Sequence, residues 1–110
     1  MTANRNFTQI MRFHSDQPEE LVRLAAEWDN LHAMDDIVGY MGQHVLADRE
    51  NPGEYLIVAE FGVVDPDISA ADEAMKNNER PITQEWHDKL LAVIDGEPEY
   101  REYDELYRTG

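Results

Sequence analysis

At 110 residues with 42% hydrophobic side chains, the sequence provides for a single domain over residues 1–110, burying roughly two-thirds of its unfolded surface. The formal net charge of −15 is spread along the chain and repels phosphate backbones and anionic lipid, so neither nucleic acid nor a membrane surface is an expected partner. Without cysteine there is no disulfide scaffold, thiolate metal site or cysteine nucleophile, and with no basic-then-apolar leader and no apolar run of about 18 residues the expected location is cytoplasmic.

Residues 7–14 alternate, placing Phe7, Gln9, Met11 and Phe13 on one face and Thr8, Ile10, Arg12 and His14 on the other, which predicts a strand. Asp16 then offers a helix cap, Pro18 suits a first turn, and Glu19 stands at capping-box spacing from Asp16. The helix that follows carries Leu21, Leu24, Ala25, Trp28 and Leu31 as an apolar stripe, turns Glu20, Arg23, Glu27 and Asn30 outward, and is expected to end over 32–36.

Two apolar runs, 37–47 and 55–64, flank the turn residues 49–53 and predict a hairpin. The second run has hardly any polar position, so both of its faces should be covered, as for a central strand. Strict alternation puts Tyr40 and His44 on one face of the first run, with Val38 and Leu46. Alternation alone leaves open whether that face looks to a pocket or to a partner, because a one-residue slip reverses it.

Residues 65–67 predict a turn, after which Ser69 or Asp67 can cap a helix through Ala70, Ala71, Ala74 and Met75. Pro81 lacks an N–H and pushes its predecessor out of helical geometry, predicting a break over 77–80. A second helical piece over 82–95 carries Ile82, Trp86, Leu90, Val93 and Ile94 inward, with residues 96–98 (Gly-Glu-Pro) as its stop signal. The last run, 100–107, is charged at alternate positions, as an edge strand is.

The order βαββαβ predicts an α+β, ferredoxin-like unit with an antiparallel sheet and both helical segments on one face. The other face needs a cover, and a second copy of the chain is the expected one. The segments GYMGQHVLADRENPGEYLIVAEF and ADEAMKNNERPITQEWHDKL, with the Glu60-Phe61 pair closing the third strand and a small-residue helix start after it, resemble the antibiotic biosynthesis monooxygenase (ABM) superfamily. The resemblance spans residues 7–107. It implies a dimeric α/β barrel, a homodimer with sheets face to face and a small pocket between sheet and helices in each subunit. Relatives include cofactor-free oxygenases of polyketide quinols, haem-degrading enzymes and proteins with no assigned activity.

His87 follows Trp86 at the margin of an apolar stripe, where an imidazole could project into such a pocket as base or ligand; the alternative is a partly exposed flank histidine. His44, in mid-strand, is its rival. Haem-degrading relatives combine a strand asparagine, a helix tryptophan and an axial histidine, but Asn77 and Asn78 stand where that tryptophan is expected before His87, and Asn6 matches the asparagine only loosely. Many relatives carry a histidine where this chain has Asn78, which can hydrogen-bond a phenol or carbonyl but cannot act as a base; ordinary turn chemistry before Pro81 is the competing reading. Glu60 lies on the Leu56 and Val58 face of its strand, where lost solvation raises a carboxylate's pKa unless Arg12 or another donor pairs with it. The histidines at 14, 32, 44 and 87 show no i, i+4 pair and no His-x-His, and phosphate-loop, flavin and nicotinamide fingerprints are missing, so no metal or cofactor is expected.

The expected activity is a cofactor-independent monooxygenation of a small aromatic quinol or polyketide-like substrate, with Trp28, Tyr40 and Trp86 as walls, Asn78 as a hydrogen-bond donor and His87 or His44 as base. The alternatives are a non-enzymatic dimer that binds a small ligand and, as runner-up enzyme, a haem-binding or haem-degrading protein.

Overall fold

The computed structural model describes residues 5–34, 39–65 and 67–109, and the side chains of 31–34 are not part of that description. The expectations for the side chains of Leu31 and His32, and those for Asp35, Asp36, Ile37, Val38 and Pro66, therefore lie outside that description. In chain order the elements are β1 (Phe7–His14), α1 (Pro18–Met34), β2 (Tyr40–Ala47), β3 (Glu54–Phe61), α2 (Ala70–Asn78), α3 (Pro81–Leu91) and β4 (Asp95–Asp104). The four strands form one antiparallel sheet in the order β2-β3-β1-β4, which is the ferredoxin-like arrangement. The apolar run of β3 is central, as its composition requires, and the charged β4 is an edge.

β1 and β3 pair in register, Phe7 opposite Phe61, Gln9 opposite Ala59, Met11 opposite Ile57 and Phe13 opposite Tyr55. These side chains share the helix-covered face. On it Met11, Phe13 and Ile57 join Leu21, Leu24 and Trp28 of α1, Trp86 and Leu90 of α3, and Ile94 in the main core. A smaller cluster of Phe7, Phe61, Ala70 and Ala74 lies at the other end, where the alanines bring α2 close to the sheet. Tyr40 packs against both clusters.

Three local details depart from the sequence reading. Helix α1 begins at Pro18, and the oxygen serving its entry turn is the hydroxyl of buried Ser15, which accepts from Gln17 N at 3.0 Å and donates to Val93 O at 2.6 Å. Ser15 thus fixes the turn that leads into α1 and at the same time ties it to the segment after α3. Second, α3 stops at Leu91, so residues 96–98 are no helix stop. They lie inside β4, where Arg12 pairs with Glu99 but His14 pairs with Asp95, and the surplus residues form an irregularity that accommodates Gly96 at φ +73° and Pro98, which has no N–H to give a ladder.

Third, β2 carries a bulge. Tyr40 stands opposite Phe61 and Gly42 opposite Glu60, so β2 spends an extra residue there, and Gly42 takes φ +127°. Strict alternation fails across it. Tyr40 shares the helix-covered face with Gln43 and Val45, while His44 and Leu46 turn to the opposite face, opposite Val58 and Leu56. The Ser69 cap, accepting from Asp72 N at 3.0 Å, and the interruption before Pro81 follow the sequence reading.

Candidate functional site

Between the two core clusters the helix-covered face leaves a cavity of about 260 Å³. Gln9 and Ala59, partners across β1 and β3, floor it with side chains too small or too polar to close the gap. Its walls are aromatic. Trp28 and Trp86 meet at 5.0 Å between ring centroids, Trp28 and Tyr40 make an edge contact at 6.3 Å, and Tyr40 continues to Phe61 at 5.7 Å. Two of these rings are fixed through their polar ends: Trp86 Nε1 donates to Leu24 O at 2.8 Å, and the Tyr40 hydroxyl donates to Asp29 Oδ1 at 2.9 Å. Burial, reinforced by that bond to Asp29, pushes the Tyr40 phenol well above its ordinary value, so Tyr40 is a neutral wall at physiological pH.

His87, Trp28, Tyr40, Asn78 and Trp86 all line this cavity, so five of the six side chains proposed from sequence converge on one place. His44 does not. The β2 bulge turns it to the far face, where it is exposed. The bulge corrects the expectation that Tyr40 and His44 share a face, and with it the claim of His44 to act on anything held beside Tyr40.

Sequence reasoning missed two features. The first is Tyr100 of β4, which lines the cavity and whose hydroxyl is hydrogen-bonded to His87 Nε2. Burial pushes its phenol up from the ordinary tyrosine value, so it keeps its proton near neutral pH. The second is the pair Asn77 and Thr83, only 5% and 6% exposed, whose side-chain Oδ1, Nδ2 and Oγ1 atoms have no hydrogen-bond partner among the described residues although both residues line the cavity. Asn78, the amide singled out from sequence, is less buried than Asn77 and presents its main-chain oxygen to Gln84 Nε2 at 2.5 Å. A signal for Asn77 existed, since it continues the buried stripe Ala70, Ala74 at helical spacing.

Asn6, Glu60, Arg12 and His14 are engaged away from the cavity. Asn6 uses both ends of its amide, donating to Glu105 at 2.9 Å and accepting from Val63 N at 3.2 Å. Glu60 pairs with Arg108 at 2.7 Å, and Arg12 is instead 3.7 Å from Glu54. His14 Nδ1 is 2.9 Å from Asp95 Oδ2. Among the described residues no group of three or more His, Asp or Glu side chains is arranged to hold a metal ion, and none of the helices described is long and apolar enough to cross a membrane.

A ferredoxin-like sheet under a broken helix pair is the fold of solved structures named as antibiotic biosynthesis monooxygenases, in agreement with the resemblance read from sequence. The chain aligns over its full length with 99% of a candidate antibiotic biosynthesis monooxygenase from Nitrosomonas europaea at a TM-score of 0.74 and 14% identity. It is similar to SnoaB, a cofactor-independent oxygenase from Streptomyces nogalater, over 94% of this chain and 96% of that one, with a TM-score of 0.72 and 16% identity. Rv0793 from Mycobacterium tuberculosis matches over 96% and 99% of the two chains at a TM-score of 0.68 and 11% identity. No family model matches the chain, and no curated protein matches it in sequence.

Proposed function

We propose that the chain is a cofactor-independent monooxygenase of a small, electron-rich phenol bound in the aromatic cavity. The observation that carries this reading is the His87–Tyr100 pair set into the wall of a cavity whose other walls include the rings of Trp28, Tyr40, Phe61 and Trp86. Such a reaction asks little of a protein: bind a flat ring, take its hydroxyl proton, and exclude competing water. With the His87 proton on Nδ1, Nε2 accepts from Tyr100, and the substrate proton passes to the Tyr100 oxygen as the Tyr100 proton passes to Nε2. The phenolate then gives electrons to O2, a carbon–oxygen bond forms at the para ring carbon, and loss of its hydrogen with cleavage of the O–O bond yields a quinone and one water. Substrate electrons meet the whole demand of oxygen, so one O2 is consumed per quinone formed. SnoaB, described as a cofactor-independent oxygenase, has the same fold, which supports the reading.

The test is oxygen consumption with 1-naphthol or a dihydroxynaphthalene, with quinone followed optically. Removing a proton acceptor typically lowers the rate by about 10²–10⁴-fold, so His87→Ala should lose at least about 10² in kcat, and Tyr100→Phe a comparable factor, with folding intact. His44→Ala should retain wild-type turnover. Full activity in His87→Ala removes the proposed base; loss of activity in His44→Ala contradicts its placement outside the cavity.

The same proposal includes a homodimer through the sheet face opposite the helices. Ile10, Leu46, Leu56 and Val58 form its apolar centre, and Val58 is buried while Leu46 remains 43% exposed. Arg12 and Arg101 stand among Glu54, Glu60 and Glu99 on or beside that face, so a second copy related by a two-fold axis presents charges of opposite sign to it.

A further inference from the structure

We propose that Asn77 and Thr83 are the polar anchor for a neutral, flat aromatic molecule that carries a hydrogen-bond donor and an acceptor on one edge, as a carboxamide or a hydroxy-ketone does. The proposal rests on the cavity being a ligand site but on no oxygen chemistry.

Its first support is an imbalance within the protein's own hydrogen bonding. Native proteins pair nearly all their buried polar groups, and an unpaired one is destabilising enough to call for a reason. Among the described residues, the buried side-chain atoms without a hydrogen-bond partner include Oδ1 and Nδ2 of Asn77 and Oγ1 of Thr83, both residues being at least nine-tenths buried and lining one cavity. The helix break puts them there. Asn77 lies in the last turn of α2 on its buried face, Thr83 in the first turn of α3, and Arg80 between them bonds both, its N to Asn77 O at 3.2 Å and its O from Thr83 N at 3.0 Å.

The second support is chemical. An amide side chain offers an acceptor and two donor hydrogens, and a hydroxyl offers one donor and two acceptor positions, so the matching ligand edge must both give and accept. This holds whichever way the amide is turned. Among the described residues no Lys or Arg lines the cavity, and the net charge of −15 opposes anions, so a carboxylate is the wrong edge. The remaining walls, above all Trp28, Trp86 and Phe61, suit an aromatic body. At interior packing density the 260 Å³ cavity admits about 190 Å³ of molecule, the size of a small fused-ring system with substituents.

The experiment is equilibrium dialysis of the wild-type protein against 1-naphthamide, 1-methylnaphthalene and 1-naphthoate. Naphthamide is expected to bind at least about tenfold tighter than either of the others, the factor a well-made pair of hydrogen bonds supplies. Asn77→Leu should erase the preference by weakening naphthamide alone, and Thr83→Val, nearly isosteric, should reduce it by about threefold and carry the test if Asn77→Leu does not fold. Without ligand, Thr83→Val should unfold at or above the wild-type temperature, since it removes an unpaired group. Equal affinity for naphthamide and methylnaphthalene, no binding of either, preference for naphthoate, or a preference that survives both substitutions overturns the proposal, as does a Thr83→Val protein markedly less stable than wild type. Selective naphthamide binding in a protein that consumes no oxygen with any phenol supports this anchor while removing the oxygenase reading.

Discussion

The chemistry of single residues in this molecule is decided by which face they occupy. His44 and His87 offer the same imidazole, yet a one-residue bulge at Gly42 leaves one on an exposed strand face and the other against the cavity, joined to Tyr100. Tyr40 makes a residue-scale test of the wall. Its phenol is raised by burial first and by Asp29 second, so its stabilising contribution is fully present below the unfolded tyrosine value near pH 10 and is lost as pH rises through the higher folded value. Alkaline titration followed at the tyrosinate absorbance should show Tyr40 ionising last, after Tyr100 and together with unfolding, and Tyr40→Phe should abolish that last step. Loss of its bond to Asp29 should lower stability by about 1 kcal/mol in denaturant unfolding. An unchanged last step would assign it to another tyrosine. Asn77 illustrates the opposite relation to sequence: expected in the helix break, it instead continues the buried stripe of Ala70 and Ala74, and none of the described residues partners its amide.

At the scale of elements, local chemistry sets the ends and tertiary contacts revise them. Ser69 caps α2 as its spacing announces, and Pro81 opens α3 where its missing N–H is harmless. Ser15 is different, because its hydroxyl bonds the α1 entry turn and the distant Val93 carbonyl together. Ser15→Ala should therefore cost about 1–2 kcal/mol in chemical denaturation, whereas Asp16→Ala should change stability by less than about 0.5 kcal/mol. Equal losses in the two variants would return the capping role to Asp16. Inside β4, Gly96 and Pro98 have the composition of a stop and the position of a bulge. The ladder to β1 resumes beyond them because Tyr100 and Glu102 still find their partners in Met11 and Gln9.

For the whole molecule the open question is what covers the outer sheet face. A helix layer on one side of a four-stranded sheet leaves Ile10, Leu46 and Leu56 without a second layer, and exposed apolar patches of this kind mark association surfaces. Sedimentation equilibrium at micromolar concentration should give a dimer, and Leu46→Arg should shift it to monomer while the far-ultraviolet dichroism stays unchanged. A monomeric wild-type protein would contradict the dimer without touching the cavity, which lies on the other side of the sheet.

The sequence by itself determined the order of elements, the central place of β3, the edge character of β4, the helix break and the aromatic residues at Trp28 and Trp86, because each follows from short-range periodicity, proline geometry or hydrophobic content. His87, at the margin of the α3 stripe, lines the cavity because a helix stripe carries its neighbours with it at fixed angles. Only the tertiary structure decided that His44 faces away, that Tyr100 meets His87 from a strand 13 residues further on, and that Asn77 and Thr83 share a cavity with their polar atoms unpaired. A bulge adds one residue without changing the apolar pattern on either side, and a contact between helix and edge strand depends on how the sheet is ordered and registered. Neither quantity is written in local periodicity; both are fixed when β1 inserts between β3 and β4 and the helices close over one face.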